Sequence, residues 1–210
     1  MSRPTPTARQ RLVLLLSGLL ALPGCLSIGG DRAELKVYAP RVDLQVQDDW
    51  AKLESTLAIA EPSASTALNS NRIAVRPKPA LLQVYAGAIW SDAAPVLVQA
   101  ALIDALGASE RFRAVGRPTD ALSADLLLQL DLRHFEAVYA EDARLPTVVV
   151  ELRATLIDQR SQQVLASQRF RVEQASDDET LPNVVRAFEA ALEQAANAMA
   201  PWLLEHAPKT

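Results

Sequence analysis

Three stretches of the sequence, in which every second side chain is apolar, most constrain its fold. They are residues 126–132, 148–156 and 164–172, with Val164 on the apolar side of the last. A period of two is typical of strands with one buried and one wetter face. The sequence Asp-Gln-Arg-Ser at 158–161 predicts a turn, so we expect the last two strands to form an antiparallel hairpin.

Two other stretches repeat their apolar residues at steps of three and four, as a helix does. Residues 93–106 predict one helix, which Ser91 or Asp92 would cap and Gly107 would end. Residues 181–204 predict a long second helix that covers one face of the sheet. Shorter strands are predicted in segments 35–46, 56–60, 72–76, 81–86 and 112–115, with a loop at 63–71. Two helices and a mixed sheet indicate a single α/β or α+β domain.

The first 25 residues have the layout of a secretory signal. Residues 1–11 hold three arginines and no acidic residue, and an apolar run of 11 residues follows at 12–22. As a helix that run reaches about 16.5 Å, well short of the roughly 30 Å core of a bilayer. We therefore expect a signal peptide rather than a transmembrane span.

The apolar run ends in Leu22-Pro23-Gly24-Cys25, which resembles the lipobox of bacterial lipoproteins. This predicts cleavage before Cys25, a diacylglycerol group on its sulfur and an acyl chain on the new amine. Leu26 favours the outer membrane, since an Asp there tends to hold lipoproteins in the inner membrane. A plain signal peptide with a chance cysteine, or a buried structural cysteine, is the alternative. The predicted organisation is a signal peptide at 1–24, a lipidated tether at 25–34 and one periplasmic domain at 35–206.

Composition excludes several function classes. The chain has 210 residues, one Cys, two His and seven Gly, and a formal net charge of −4. Removing residues 1–24 leaves 186 residues with 18 basic and 25 acidic side chains, a net charge of −7. An acidic chain is a poor nucleic-acid binder. The sequence has no phosphate-binding glycine loop, HExxH or Gly-x-Ser-x-Gly motif. We therefore predict a protein that is not an enzyme and that binds no metal and no cofactor beyond its acyl chains.

Two polar clusters have functional alternatives to a structural role. His134, which continues the apolar side of the 126–132 strand, could act with Asp131 or Glu136 in a hydrolase. A strand-end histidine without a catalytic role is the favoured interpretation. Residues 177–179 could bind calcium, but negative charge before a helix N-terminus is the simpler reason for them.

Alternating charges on the wetter face of the strands predict a ladder of cross-strand ion pairs rather than a polar site. They are Asp131, Arg133, Glu151, Arg153, Arg169 and Arg171. Tyr85, Trp90 and Asp92 lie between a predicted strand and a predicted helix cap, where a shaped surface is common. We interpret these three as a partner contact or, more simply, as a structural motif in which the two aromatic side chains pack in the core.

The order of several motifs resembles the ABC-type transport auxiliary lipoproteins, a family that includes the paraquat-inducible protein C lipoproteins. The resemblance covers about residues 56–205 together with the lipobox. The motifs are Arg-Ile-Ala-Val-Arg at 72–76, Tyr-Ala at 85–86, Trp-Ser-Asp at 90–92, Arg-Phe-Arg-Ala-Val at 111–115, and the segments 128–138, 154–158 and 164–170.

This resemblance implies a three-layer α/β fold similar to the N-terminal domain of the Tol translocation protein. It also implies a non-catalytic accessory role in Mce-type lipid transport, in which a permease and an ATPase work with an Mce substrate-binding protein. The lipoprotein would be the outer-membrane end of that system, and a homo-oligomer is compatible with such a role. The alternative is an envelope-assembly lipoprotein that binds outer-membrane proteins or peptidoglycan.

Overall fold

The computed structural model describes residues 34–120, 123–141 and 143–208. Cys25 and the predicted signal peptide lie outside these residues, and so does the predicted tether up to residue 33. Residues from Leu35 onward form one compact unit. Its elements are β1 Lys36–Tyr38, β2 Thr56–Ile59, β3 Ser63–Ala64, β4 Arg72–Lys78, β5 Leu81–Trp90, α1 Ala94–Ala108, β6 Ala114–Gly116, β7 Leu126–Val138, β8 Thr147–Asp158, β9 Gln163–Ala175 and α2 Leu181–His206.

The strands form one mixed sheet that is organised around β7. One edge of β7 pairs in parallel with β2, β3 and β4 in succession, and the other edge pairs with β8 in antiparallel orientation. β8 and β9 form the predicted hairpin, which is confirmed, while β5 joins β4 to the short edge strand β1. The short β3 lies in the segment predicted as a loop, because Ser63 and Ala64 pair with the middle of β7.

The hydrophobic core lies between the sheet and both helices. Trp90, Phe135 and Phe188 meet there, from β5, β7 and α2, with ring centroids 4.8 to 5.6 Å apart. Near the other end of α2, Trp202 stacks edge-to-face on Phe170 of β9 at 5.5 Å. Burying such rings supplies much of the driving force for folding. The predicted α/β class, with a helix after Trp90 and a long C-terminal helix, is confirmed.

The second face of the sheet is open where the sequence implied another layer. The two helices contribute side chains to the same core cluster. On the opposite face of β7, β8 and β9, side chains such as Gln129, Arg153 and Arg169 are exposed. Within the described ranges no helix covers this face, so the predicted three-layer arrangement is not found there.

A β-bulge in β7 corrects the expected position of His134. The register with β8 shifts between Leu132 and His134, because Arg133 is the extra residue. After the bulge, Phe135 and Ala137 occupy the core face and are fully buried. His134 therefore lies on the open face rather than on the apolar side. A second shift, between Leu156 and Ile157 of β8, puts Val164 on the open face with 61% of its surface exposed.

The ends of α1 and β5 also differ from the sequence-based expectation. The N-cap residue is Ala93, and no side chain caps the helix, so neither Ser91 nor Asp92 has that role. Gly107 lies inside α1, which ends at Ala108. β5 continues to Trp90 because Gly87 adopts a φ of +70°, a conformation open to glycine, and takes up the irregular register with β4. No helix in the described part of the chain is long and apolar enough to cross a membrane.

Candidate functional site

The structure separates the three residues predicted as a partner contact or structural motif. Trp90 is 0% exposed and packs against Phe135 and Phe188. Its indole Nε1 is buried and has no hydrogen-bond partner among the described residues. As folded, Trp90 therefore has no surface that a partner could contact, and it acts as a core residue.

Tyr85 lies five residues earlier on β5, about 16 Å away along an extended strand. Its hydroxyl is buried and has no hydrogen-bond partner within the described ranges. Burial raises the pKa of the Tyr85 hydroxyl well above its ordinary value of 10.0, and the neighbouring Tyr139 raises that pKa further. The Tyr85 hydroxyl therefore stays protonated at physiological pH and cannot serve as a base.

Asp92 is exposed and lies on the rim of a groove of about 620 Å³. The groove separates residues 39–46 from α1. Asp43 and Asp104 share the rim with Asp92, and Arg41 is the basic residue of the lining. The floor consists of apolar side chains, among them Val42, Leu44, Leu97, Ala101 and Ala105. An apolar floor with three carboxylates around it suits a segment that carries both apolar and basic side chains.

The hydrolase candidate residues on β7 form an ion-pair cluster. Glu136 has a side chain only 3% exposed, and Arg76 holds it through two hydrogen bonds, Nε to Oε1 at 3.2 Å and an Nη to Oε2 at 2.9 Å. His134 Nδ1 lies 2.8 Å from the same Oε1. Asp131 instead accepts a hydrogen bond from Arg133 at 2.6 Å. Both oxygens of Glu136 are thus engaged in pairing that compensates for its burial.

Part of the predicted charge ladder is present beside this cluster. Arg171 donates to Glu151 across the hairpin at 2.8 Å and to Glu173 on its own strand at 2.7 Å. The hydrogen bond from Arg171 lowers the pKa of the Glu151 carboxyl, and the nearby charge of Arg169 lowers it further. Arg153 fits the ladder only on one side, because its direct cross-strand partner is Asp131 on β7 but Arg169 on β9.

The acidic loop before α2 has a local structural role. Asp178 accepts hydrogen bonds from the backbone amide and the hydroxyl of Thr180. These bonds lower the pKa of the Asp178 carboxyl. Among the residues that the structure describes, no group of three or more His, Cys, Asp or Glu side chains is placed to hold a metal ion.

Comparison with known proteins assigns the chain to a family. The family model "ABC-type transport auxiliary lipoprotein component" matches residues 39–200. The chain belongs to this family. The match includes the groove beside Asp92 and almost the whole sheet, so the resemblance noted in the sequence is confirmed.

Two solved structures resemble this chain over most of its length. Protein XCC0632 from Xanthomonas campestris is 35% identical, with a TM-score of 0.77 over 81% of this chain and 95% of that one. A second crystal structure, of an uncharacterized protein, has a TM-score of 0.64 at 14% identity over 81% of this chain and 99% of that one, and shows the fold alone. Protein bll6063 of Bradyrhizobium diazoefficiens is 30% identical over 190 residues. The match covers 89% of this chain but spans only about half the length of that relative.

Sequence reasoning missed three features of these surfaces. The burial of Glu136 on the open face involves its ion pair with Arg76 of β4, a contact between distant parts of the chain that no local pattern signals. The groove depends on how residues 39–46 pack on α1, a contact between distant parts of the chain. The pairing of Arg153 with Arg169 depends on the register of the hairpin. Only the charge alternation itself was visible in the sequence.

Proposed function

We propose that this protein is a non-catalytic accessory lipoprotein of an Mce-type ABC system that moves lipids between the inner and outer membranes. In this proposal, acyl chains on Cys25 anchor it to the periplasmic face of the outer membrane, where it binds the Mce-domain substrate-binding protein that works with the permease and ATPase. The family match over residues 39–200, preceded by Leu22-Pro23-Gly24-Cys25, is the observation that carries the proposal.

An adaptor role is consistent with the polar residues of the domain. Among the described residues, Glu136 is the buried carboxylate that lies beside a histidine, and Arg76 and His134 engage both of its oxygens. Anchoring through several acyl chains is durable, since each buried methylene adds about 0.8 kcal/mol. The acyl chains on Cys25 are the only prosthetic group that the proposal requires.

We assign the groove beside Asp92 to the contact with the Mce protein. Its rim carries Asp43, Asp92 and Asp104 against Arg41, so a partner segment with basic and apolar side chains would complement it. Exposed rim charges act mainly on the association rate and on its dependence on salt. Binding through this groove should therefore weaken as ionic strength rises.

The test is co-purification from envelope membranes with the Mce protein encoded near this gene. The wild type should retain the Mce protein, Cys25→Ser should lose the outer-membrane fraction, and Asp92→Lys should reduce retention several-fold. Glu205→Lys, an equal charge change at an exposed site on α2, is the matched control and should retain it. Mass spectrometry of the mature N-terminus reads out lipidation directly.

Two outcomes would contradict the proposal. An unmodified Cys25 thiol or an uncleaved leader would remove the anchor. Capture of outer-membrane proteins or peptidoglycan in place of any Mce protein would favour the envelope-assembly alternative. The mass of the captured complex would also show whether the lipoprotein acts as a homo-oligomer.

A further inference from the structure

The side of the sheet opposite the helices has features that the accessory role alone does not explain. We use the term open face for the outward side chains of β1, β5, β4, β7, β8 and β9. Strand register places these side chains on one surface, from Val37 on β1 to Arg169 on β9. Within the described ranges no helix covers the open face, so its exposed side chains are accessible to a binding partner or a membrane.

The first feature of the open face is a pair of arginines directly opposite each other, with Asp131 opposite Arg153 on β7 and Glu151 near Arg169. Arg153 and Arg169 are direct cross-strand partners, and both are exposed. In the part of the chain that the structure describes, neither guanidinium is within 4.0 Å of a carboxylate. Like charges directly opposite each other destabilise a sheet. A bound anion would relieve this repulsion, and guanidinium groups bind phosphate oxygens well.

The second feature is an apolar patch at the other end of the same face. Leu35 is 54% exposed, Val37 60% and Val84 45%. Val37 pairs with Ile89, which in turn pairs with Arg72, so these side chains share the open face. Large apolar side chains grouped on one surface indicate a contact with a partner or a membrane.

The apolar patch also includes residues that are close in sequence to the proposed anchor at Cys25. Nine peptide steps join Cys25 to Glu34, the first described residue. A fully extended chain of that length spans at most about 32 Å. A lipid on Cys25 would therefore keep Glu34, and β1 directly after it, within about 32 Å of the lipid attachment point.

We propose that the open face lies against an anionic phospholipid bilayer, with Leu35, Val37 and Val84 at the tethered end and Arg153 and Arg169 contacting lipid phosphates. This rests on the proposed anchor at Cys25. The chain as a whole is acidic, so an anionic surface repels most of the protein and attracts this arginine pair. The anchor holds the domain at the membrane, and the open face sets its orientation, which leaves the groove beside Asp92 directed toward the periplasm.

The experiment uses the full lipidated protein in vesicles of phosphatidylethanolamine with 30% phosphatidylglycerol and a headgroup-linked quencher. Cys25 is the only cysteine, so lipidation leaves an introduced cysteine as the one thiol that a fluorophore can label. Val37→Cys and Ser167→Cys report on the open face. Ala198→Cys, at an exposed position on α2, reports on the helix side. We expect quenching at the first two positions to exceed that at position 198 at least three-fold.

Charge neutralisation then tests the arginine pair. Arg153→Gln combined with Arg169→Gln should reduce quenching at position 167 to the level seen at position 198. Lys52→Gln combined with Arg186→Gln is the matched control, because it removes the same charge from exposed positions outside the open face, and it should leave quenching unchanged. Both double variants should unfold cooperatively, since all four side chains are exposed.

Equal quenching at the three labelled positions would overturn the proposal, and so would an equal response to the two double variants. Quenching that persists unchanged in vesicles of phosphatidylcholine alone would overturn the role of anionic lipid. Failure of the anchor has a separate signature, because wild-type protein would then take up the fluorophore at Cys25 and would not be retained by vesicles. Protection of position 167 only when the Mce protein is added would assign the open face to a protein partner instead.

Discussion

Truncating Trp90 to alanine should show whether this residue supports the core or contacts a partner. The side chain is 0% exposed and lies 5.6 Å from Phe135 and 5.1 Å from Phe188, measured between ring centroids. Removing a buried aromatic ring of this size costs about 3–5 kcal/mol of unfolding free energy. For a chain of this length, that corresponds to a fall in Tm of roughly 6–20 °C.

Trp90→Phe gives a finer test of the same packing. Phenylalanine keeps an aromatic ring for the contacts with Phe135 and Phe188, and it removes an indole N–H that has no partner among the described residues. Because a buried unsatisfied donor is itself unfavourable by about 1–3 kcal/mol, the lost volume is partly offset. We expect a net loss of about 1 kcal/mol.

The assay is thermal and urea unfolding of the full protein, followed by circular dichroism, together with Mce co-purification at a temperature where each variant is folded. Trp90→Phe should retain the Mce protein. Asp92→Ala is the control, because an exposed side chain should change the unfolding free energy by less than about 0.5 kcal/mol. A Trp90→Ala protein with an unchanged Tm and no Mce binding would refute the argument, since only a surface contact gives that result.

Three further predictions concern the open face. Arg76→Ala should lower the unfolding free energy by about 3–5 kcal/mol, because it leaves the buried Glu136 carboxylate without its cation. Glu136→Gln should lower the unfolding free energy by less, since the more exposed Arg76 side chain can be rehydrated. If urea denaturation shows the reverse order, the burial of Glu136 is not what makes this ion pair important. Glu151 has a depressed pKa in the folded state, so its stabilising contribution is present above the unfolded pKa of 4.5 and is lost as pH falls through the folded pKa. Glu151→Gln should therefore reduce the loss of unfolding free energy between neutral and acidic pH. An unchanged dependence of the unfolding free energy on acidic pH would count against the Arg171 contact. Arg169→Thr should raise the unfolding free energy by about 0.2–1 kcal/mol in the absence of lipid, because Arg153 is its direct cross-strand partner and among the described strands β9 pairs only with β8. A lower Tm would contradict this.

The core side of the sheet was largely predictable from the sequence. Leu126, Leu128, Leu130 and Leu132 alternate with wetter residues, and all four are buried. The alternation stops predicting orientation at Arg133, because one extra residue there reverses every following side chain. Phe135 and Ala137 then enter the core, although their position in the sequence pattern placed them outside it. A bulge persists only when the partner strand pairs well with the residues on both sides of it. The sequence of one strand does not say how the partner strand pairs.

The same physical limit explains why the sequence predicted a ladder of opposite-charge pairs where the structure sets two arginines opposite each other. Charges at alternating positions show which face a strand presents to solvent, but their partners depend on the register between strands. Near the turn, Asp158 faces Gln163 and Ile157 faces Val164, and this register continued along the hairpin would set Arg153 opposite Gln168. The irregularity after Ile157 adds one residue on β9 and thereby places Arg169 opposite Arg153. A single inserted residue on β9 therefore places two arginines opposite each other, and any function of this pair depends on that irregularity as well as on the charged residues.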